Sequence, residues 1–149
     1  MTTLDVRLLD EPFDPTIEVN HLTCETPDAG GVASFVGKVR STGVDALELS
    51  HYEPLTLPGM HELADSANRR FDLMGLLIIH RTGLLHKGEP IVCVCAAARH
   101  RRSAIEAVDF CMDHLKSAAW FWKRELRNGT WNWIEPRAED FTDLARWQD

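Results

Sequence analysis

Two lysines, Lys116 and Lys123, stand in the stretch "HLKSAAWFWKRE" (114–125) with three aromatic residues between them. Two ammonium groups brought together could hold an anion or stabilise a developing negative charge. With one pKa lowered by burial, they could also supply a base or nucleophile. A second cationic stretch, "RHRRS" (99–103), lies where an apolar run gives way to a helical pattern. A helix N-terminus already favours anions through its free N–H groups and dipole, and arginine adds a bidentate fit to phosphate. Cations at that end weaken the helix, and a local rule broken in this way points to a site. The plainer alternative is a solvated basic turn. A third, weaker candidate is "FVGKVRS" (35–41): Lys38 and Arg40 share one face of a Gly-interrupted strand, with Phe35 on the opposite parity.

Other chemistry has little support. His21, His51, His61, His80, His86 and His114 show no H-x-x-x-H or H-E-x-x-H spacing, so no metal site is expected. There is no G-x-S-x-G, P-loop or G-x-G-x-x-G motif. Cys24, Cys93, Cys95 and Cys111 form no C-x-x-C pair and read as reduced, structural thiols, the middle two on one face of a strand.

These side chains need elements to hold them. "TLDVRLLD" (3–10) reads as a strand, and "TIEVNHLT" as a short helix or an extended lead-in. "GGVASFVGKVR" (30–40) and "ALELSHYE" read as a hairpin about the turn "STGVD", with Gly37 marking a bulge or close backbone approach. Residues 58–75 carry the helical period in Met60, Leu63, Ala64, Ala67 and Phe71, with Gly75 as stop. "LLIIHRTG" (76–83) and "IVCVCAAA" (91–98) are buried strands about the turn "LLHKGEP". Ser103 and Glu106 have the spacing of a capping box, which starts a helix over about 104–117 with Ile105, Val108, Met112 and Leu115 as its apolar stripe. Asn128-Gly129 is the preferred type I′ turn pair, so "AWFWKREL" and "WNWIE" form a hairpin. Lys116 then sits in a last helical turn, where a lysine ordinarily complements the helix dipole, and Lys123 sits on a strand about four residues later. A strand folding back beside the helix end brings the two together, with Phe121, Lys123 and Glu125 on one face and Trp120, Trp122 and Arg124 on the other.

The order of elements implies an α+β domain with mixed or antiparallel sheets, two main helices and a C-terminal β-hairpin, one domain over 1–149. The composition is ordinary for a globular protein: 44% hydrophobic and 26% charged. No apolar run approaches the roughly 20 residues that cross a bilayer, and no signal-peptide pattern opens the chain, so a cytoplasmic protein without membrane attachment is expected. A net charge of −7 argues against nucleic acid as a partner, including single-stranded RNA on the Trp-rich hairpin. Acids crowd the first twenty residues and the tail, while bases gather at 98–102 and 121–127. That asymmetry suits a small anionic ligand in a local basic pocket. Four tryptophans within 120–133 exceed what one small sheet hides and point to an oligomer interface.

The assembled stretches "GGVASFVGKVR", "LELSHYE", "IIHRTGLLHKGEPIVCVCAAARHRRSAIEAVDFCMDHLKSAAWFWKRE" and "WNWIE" resemble the large, catalytic subunit of molybdopterin synthase, the MoaE family, over about residues 28–137. The resemblance implies an α/β-hammerhead fold and a homodimer. Each copy would bind a small ubiquitin-like carrier, giving a heterotetramer. The carrier's C-terminal Gly-Gly thiocarboxylate would deliver two sulfurs to cyclic pyranopterin monophosphate, forming the dithiolene, with no metal or other cofactor. Matched position by position, the catalytic lysines are Lys116 and Lys123, and the substrate contacts are Arg40, His100 and Arg101 with Phe35, Lys38 and Met112 nearby. By this match Lys116 orients the thiocarboxylate or links transiently to the carrier's last glycine, and Lys123 stabilises the anion or assists proton transfer. The chain departs from the family pattern at Ser41 and its shortened loop, at the additional Arg102, and in "SAAWFW", which lacks the usual proline. It ends "LARWQD" rather than Gly-Gly, so the sulfur carrier is expected to be a separate protein. A non-catalytic homologue that binds a pterin or the carrier as a scaffold is the alternative.

Overall fold

The computed structural model describes residues 2–118 and 120–148. In chain order the elements are β1 (Thr3–Leu9), α1 (Pro15–Glu25), β2 (Gly31–Lys38), β3 (Ala46–His51), α2 (Glu53–Phe71), β4 (Gly75–Arg81), β5 (Gly83–His86), β6 (Pro90–Ala98), α3 (Arg101–Ser117), β7 (Phe121–Arg127), β8 (Thr130–Ile134) and α4 (Ala138–Ala145). Two four-stranded sheets result, ordered β1-β4-β6-β2 and β5-β3-β7-β8. β1 pairs parallel with β4, and the other pairings are antiparallel, so the α+β expectation with a mixed sheet holds. Beside the two long helices, α1 and α4 are additions. "TIEVNHLT" resolves as α1, with the Asp14 carboxylate accepting from Thr16 N–H at 2.9 Å and Pro15 in the first turn. No helix among the described residues is long and apolar enough to cross a membrane.

The main core lies between the first sheet and the helices α2 and α3. Leu76, Ile78, Val94 and Ala96 meet Met60, Ala64, Ala67, Ala104, Ala107 and Cys111 there. The opposite face of that sheet packs Leu77, Ile79, Cys93 and Cys95 against Leu22 of α1. Burial pushes the thiols of Cys95 and Cys111 up to about 12 and that of Cys93 to about 11, so these three are inert packing groups; Cys24 is exposed, and all four thiols are free. A third cluster, Val39, Val44, Leu47, Leu49 and Leu85, backs the second sheet.

Several local expectations change. β2 and β3 are not a hairpin: β2 pairs with β6 in one sheet, and β3 with β5 and β7 in the other. The link between them keeps pairing outward, Val39 N–H to Glu89 O at 3.0 Å and Gly88 N–H to Val39 O at 2.9 Å, before Asp45 joins the second sheet through Leu126 O. Strand β5, Gly83–His86, takes in Leu84–His86 of the expected turn "LLHKGEP". α2 begins at Glu53 rather than 58, and its stop is Asp72 in the left-handed region (φ 51°), while Gly75 opens β4. α3 begins at Arg101 with His100 as N-cap, so Ser103 and Glu106 do not form the capping box. The first turn closes earlier, Ala104 N–H to His100 O, and Glu106 pairs instead with Arg102 at 3.7 Å. The α3 stripe is Ala104, Ala107, Val108, Cys111 and Leu115, whereas Ile105 is 57% exposed. The C-terminal hairpin is as expected, with Arg127 opposite Thr130 and both turn residues at positive φ, 50° and 79°.

Candidate active site

Lys116 lies in the last turn of α3, which packs on the main sheet, and Lys123 is the third residue of β7 in the second sheet. The connection between them is anchored at Trp120; of the link "SAAWFW", Ala119 lies outside the described residues. The Trp120 carbonyl accepts from Thr56 Oγ1 at 2.9 Å and Tyr52 N–H at 3.3 Å. Its ring fits where α2 has no side chain: a Cβ on Gly59 would lie 2.5 Å from Trp120 Cε2. Phe121 then stacks on His80 of β4, centroids 3.8 Å apart and planes 16° apart. Strand alternation does the rest. Trp122 and Arg124 turn outward, Arg124 Nε donating to Glu48 Oε1 at 2.7 Å under the Trp131 ring. Lys123 takes the inner face, opposite the buried Leu49.

The two lysine charges sense each other. The Lys116 side chain reaches the surface, yet the protein packed round its ammonium holds its pKa below the ordinary lysine value. Burial is the largest cause and the Lys123 charge the next; Asp140 opposes them, and Arg137 and Arg40 lower it further. Arg137 is the N-cap of α4, its N–H and Nη2 donating to the Asp140 carboxylate at 3.0 and 3.3 Å. Ser117 Oγ donates to the Asp140 carbonyl at 3.0 Å, which ties α4 to the end of α3. His80 is pushed down to about 4, by burial first and then by the Lys116 charge. Its Nδ1–H donates to Arg81 O at 2.8 Å, which opposes the shift, yet the ring remains neutral at neutral pH. The arrangement is a cluster of cations around one amine whose pKa is lowered, a setting suited to holding an anion.

Of the residues expected in the site, Lys116, Lys123 and Arg40 converge. Met112 lies one turn before Lys116 and packs on the main core. Phe35, 43% exposed, leans over Gly37, where a Cβ would lie 2.8 Å from Val92 Cγ1, so Gly37 does mark a close approach. The pairing register shifts between Gly37 and Lys38, and β2 ends there, so Lys38 and Arg40 do not continue one regular strand face. His100 and Arg101 are elsewhere. They stand at the start of α3, Arg101 beside Gly31, while Lys116 is in its last turn. Fifteen residues of helix put Arg101 and Lys116 roughly 22 Å apart, more than the two side chains can close. His80, Arg137 and Asp140 went unnoticed in the sequence. A histidine in the apolar run "LLIIHR" was the one signal available for His80, and Arg137 and Asp140 carry the i, i+3 spacing of a helix start. Among the described residues no group of three or more His, Cys, Asp or Glu is arranged to hold a metal ion.

Known proteins match this chain in sequence and fold. The family model described as MoaE protein matches residues 8–118. A molybdopterin synthase catalytic subunit from Caulobacter vibrioides is 44% identical over 144 residues, covering 95% of this chain and 96% of its own. A solved molybdopterin biosynthesis MoaE protein from Burkholderia ambifaria has a TM-score of 0.81 at 37% identity, covering 100% of this chain and 99% of that one. The molybdopterin synthase structure from Staphylococcus aureus, TM-score 0.75 at 24% identity over 85% of this chain and 94% of that one, shares the fold. With most of its length matched, the chain belongs to the MoaE family, the catalytic subunits of molybdopterin synthase.

Proposed function

We propose that this chain is the sulfur-transferring subunit of a molybdopterin synthase. It receives a small carrier protein's C-terminal thiocarboxylate and passes its sulfur to cyclic pyranopterin monophosphate, building the dithiolene of molybdenum cofactor biosynthesis. The observation that carries this reading is the convergence of Lys116, Lys123, Arg40 and Arg137, with burial and like charge holding the Lys116 pKa down. A thiocarboxylate tail and a phosphorylated pterin are both anions, and such a pocket favours both. Lys116 gives up its proton more easily than an ordinary lysine, so it is the amine that moves a proton, or that attacks the carrier's carbonyl carbon to form an amide while the C–S bond breaks and the sulfur stays with the pterin. Lys123 is the cation placed to stabilise the charge that develops on sulfur or oxygen. Activity is in the cytoplasm, where the free thiols stay reduced.

His100 and Arg101 enter this scheme through a second copy. In one chain they are a helix length from the lysines, so a pterin whose phosphate they hold can be worked on by the Lys116 and Lys123 of a partner copy in a homodimer. The large exposures of Trp122 (48%) and Trp133 (65%) leave apolar surface for such contacts or for the carrier.

The test is reconstitution with thiocarboxylated carrier and cyclic pyranopterin monophosphate, reading dithiolene product. Lys116→Ala and Lys123→Ala each lose turnover while still binding carrier. A wild-type protein that binds carrier yet makes no product would leave the scaffold alternative standing.

A further inference from the structure

The two lysines hang on different layers. Lys116 rides on α3 over the main sheet, and Lys123 belongs to the second sheet, so their spacing depends on how the sheets dock. We propose that His80 is a positioning residue for this pair: its buried imidazole, stacked on Phe121, seats the start of β7 against the main sheet and so sets the placement of Lys123 relative to Lys116. The proposal rests on the reading of the lysines as one site.

His80 is 8% exposed at the end of β4, in the main sheet, and Phe121 is the first residue of β7, two before Lys123 on the same face. The rings lie flat on one another, a contact that fixes both height and tilt. The bond from His80 Nδ1–H to the Arg81 carbonyl holds the imidazole plane. Across the second sheet His51 of β3 stands in register with Phe121, which is partly buried. The charged and titratable groups facing Lys116 are Lys123 from β7, Arg40 beyond β2, Arg137 and Asp140 of α4, and His80 from β4. A neutral ring adds no further positive charge to this set, and burial with the Lys116 charge nearby keeps it neutral down to about pH 4. An aliphatic side chain of similar volume would fill the space but would supply no plane for Phe121 to rest on.

The test uses the full chain and three variants, His80→Leu, His80→Phe and Phe121→Leu. Two readouts are taken: the pH midpoint of Lys116 acetylation by trace acetic anhydride, followed by peptide mass spectrometry, and sulfur transfer in a single turnover. His80→Leu loosens β7, admits water and relaxes the lysine spacing. The Lys116 midpoint rises toward that of an ordinary lysine, and transfer falls roughly tenfold to a hundredfold, as misplacement by an ångström does elsewhere. Carrier affinity stays near the wild-type value. Phe121→Leu reproduces both effects, and it carries the test alone should His80→Leu not fold. His80→Phe keeps a flat face and recovers most of both readouts. A purely structural role would lower the melting temperature of His80→Leu without moving the midpoint. Folded His80→Leu and Phe121→Leu proteins with wild-type midpoint and transfer overturn the proposal, as does a folded His80→Phe protein as defective as His80→Leu. Should wild-type protein transfer no sulfur, the functional reading falls, while the acetylation midpoints still decide the role of His80.

Discussion

Mixing two inactive variants tests whether the site is built from two copies. Arg101 opens α3 and Lys116 is its sixteenth residue, so about 22 Å of helix axis separates them. Side chains on a helix all lean toward its N-terminus, so both groups shift the same way and the separation is kept. One chain therefore does not present both groups to one phosphate-bearing pterin. Consider Arg101→Ala and Lys116→Ala, each nearly inactive as a homodimer. Random mixing makes about half the dimers mixed, and each mixed dimer holds one doubly defective site and one intact site, so about a quarter of the wild-type sites return. Isolating mixed dimers through two different affinity tags raises that to about one half. The assay is dithiolene formation at saturating carrier, with sedimentation to count copies. Arg40→Ala mixed with Lys116→Ala is the control. Arg40 lies within the electrostatic reach of Lys116 in the same chain, so each site of that mixed dimer carries one defect and no activity returns; recovery there would mean that Arg40 crosses over. Purified mixed dimers of Arg101→Ala and Lys116→Ala that are no more active than their parents would refute the two-copy site, as would a wild-type enzyme that turns over as a monomer.

Two further results follow from the charges. Lys123→Met removes the second-largest cause of the low Lys116 pKa while keeping an unbranched side chain, so the Lys116 acetylation midpoint rises; an unmoved midpoint would show that the two ammonium groups do not sense each other. His80 gives an acid limb to stability. Its folded pKa of about 4 lies below the ordinary 6.5, so between these values the unfolded chain binds more protons. The contribution is fully present above about pH 6.5 and is lost as pH falls toward 4, up to about 3 kcal/mol at the extreme. Urea midpoints measured from pH 7 to 4 should fall less steeply in His80→Phe than in the wild type. Equal slopes would mean that the imidazole is not held neutral.

What could be read from the residues was what short-range rules control. Asn128-Gly129 announces its turn because the two φ values it needs are positive, and the hairpin formed around it without register error. The apolar runs of β4 and β6 were equally legible, being buried on both faces. Long-range pairing was not. β2 and β3 look like a hairpin because a short turn joins them, yet each finds better partners in a different sheet. The capping box failed for a related reason. Ser103 and Glu106 have the right spacing, but β6 ends at Ala98 and α3 takes up the chain at once, so the cap falls on His100. The His80–Phe121 stack joins residues 41 apart in sequence and leaves no mark in either local pattern.

The same limit shapes the site. Matching residues to a family pattern assigns Lys116, Lys123, Arg40, His100 and Arg101 to one pocket, because such a match carries no distances. α3 supplies the distance. It delivers cations at both ends, Arg101 where the dipole disfavours them and Lys116 where it favours them, and it is too long for the two ends to meet. A helix that breaks its own electrostatic preference at one end gains nothing from that within a single chain. The N-terminal cations make chemical sense if a ligand shared with another copy compensates them, and the lysines make sense if a carrier's tail arrives at the other end. Each chain then contributes two half-sites of opposite duty, one that holds phosphate and one that handles sulfur. On this reasoning the loss of Arg101 and the loss of Lys116 are defects in different halves, which is why a mixed dimer can restore what neither parent retains.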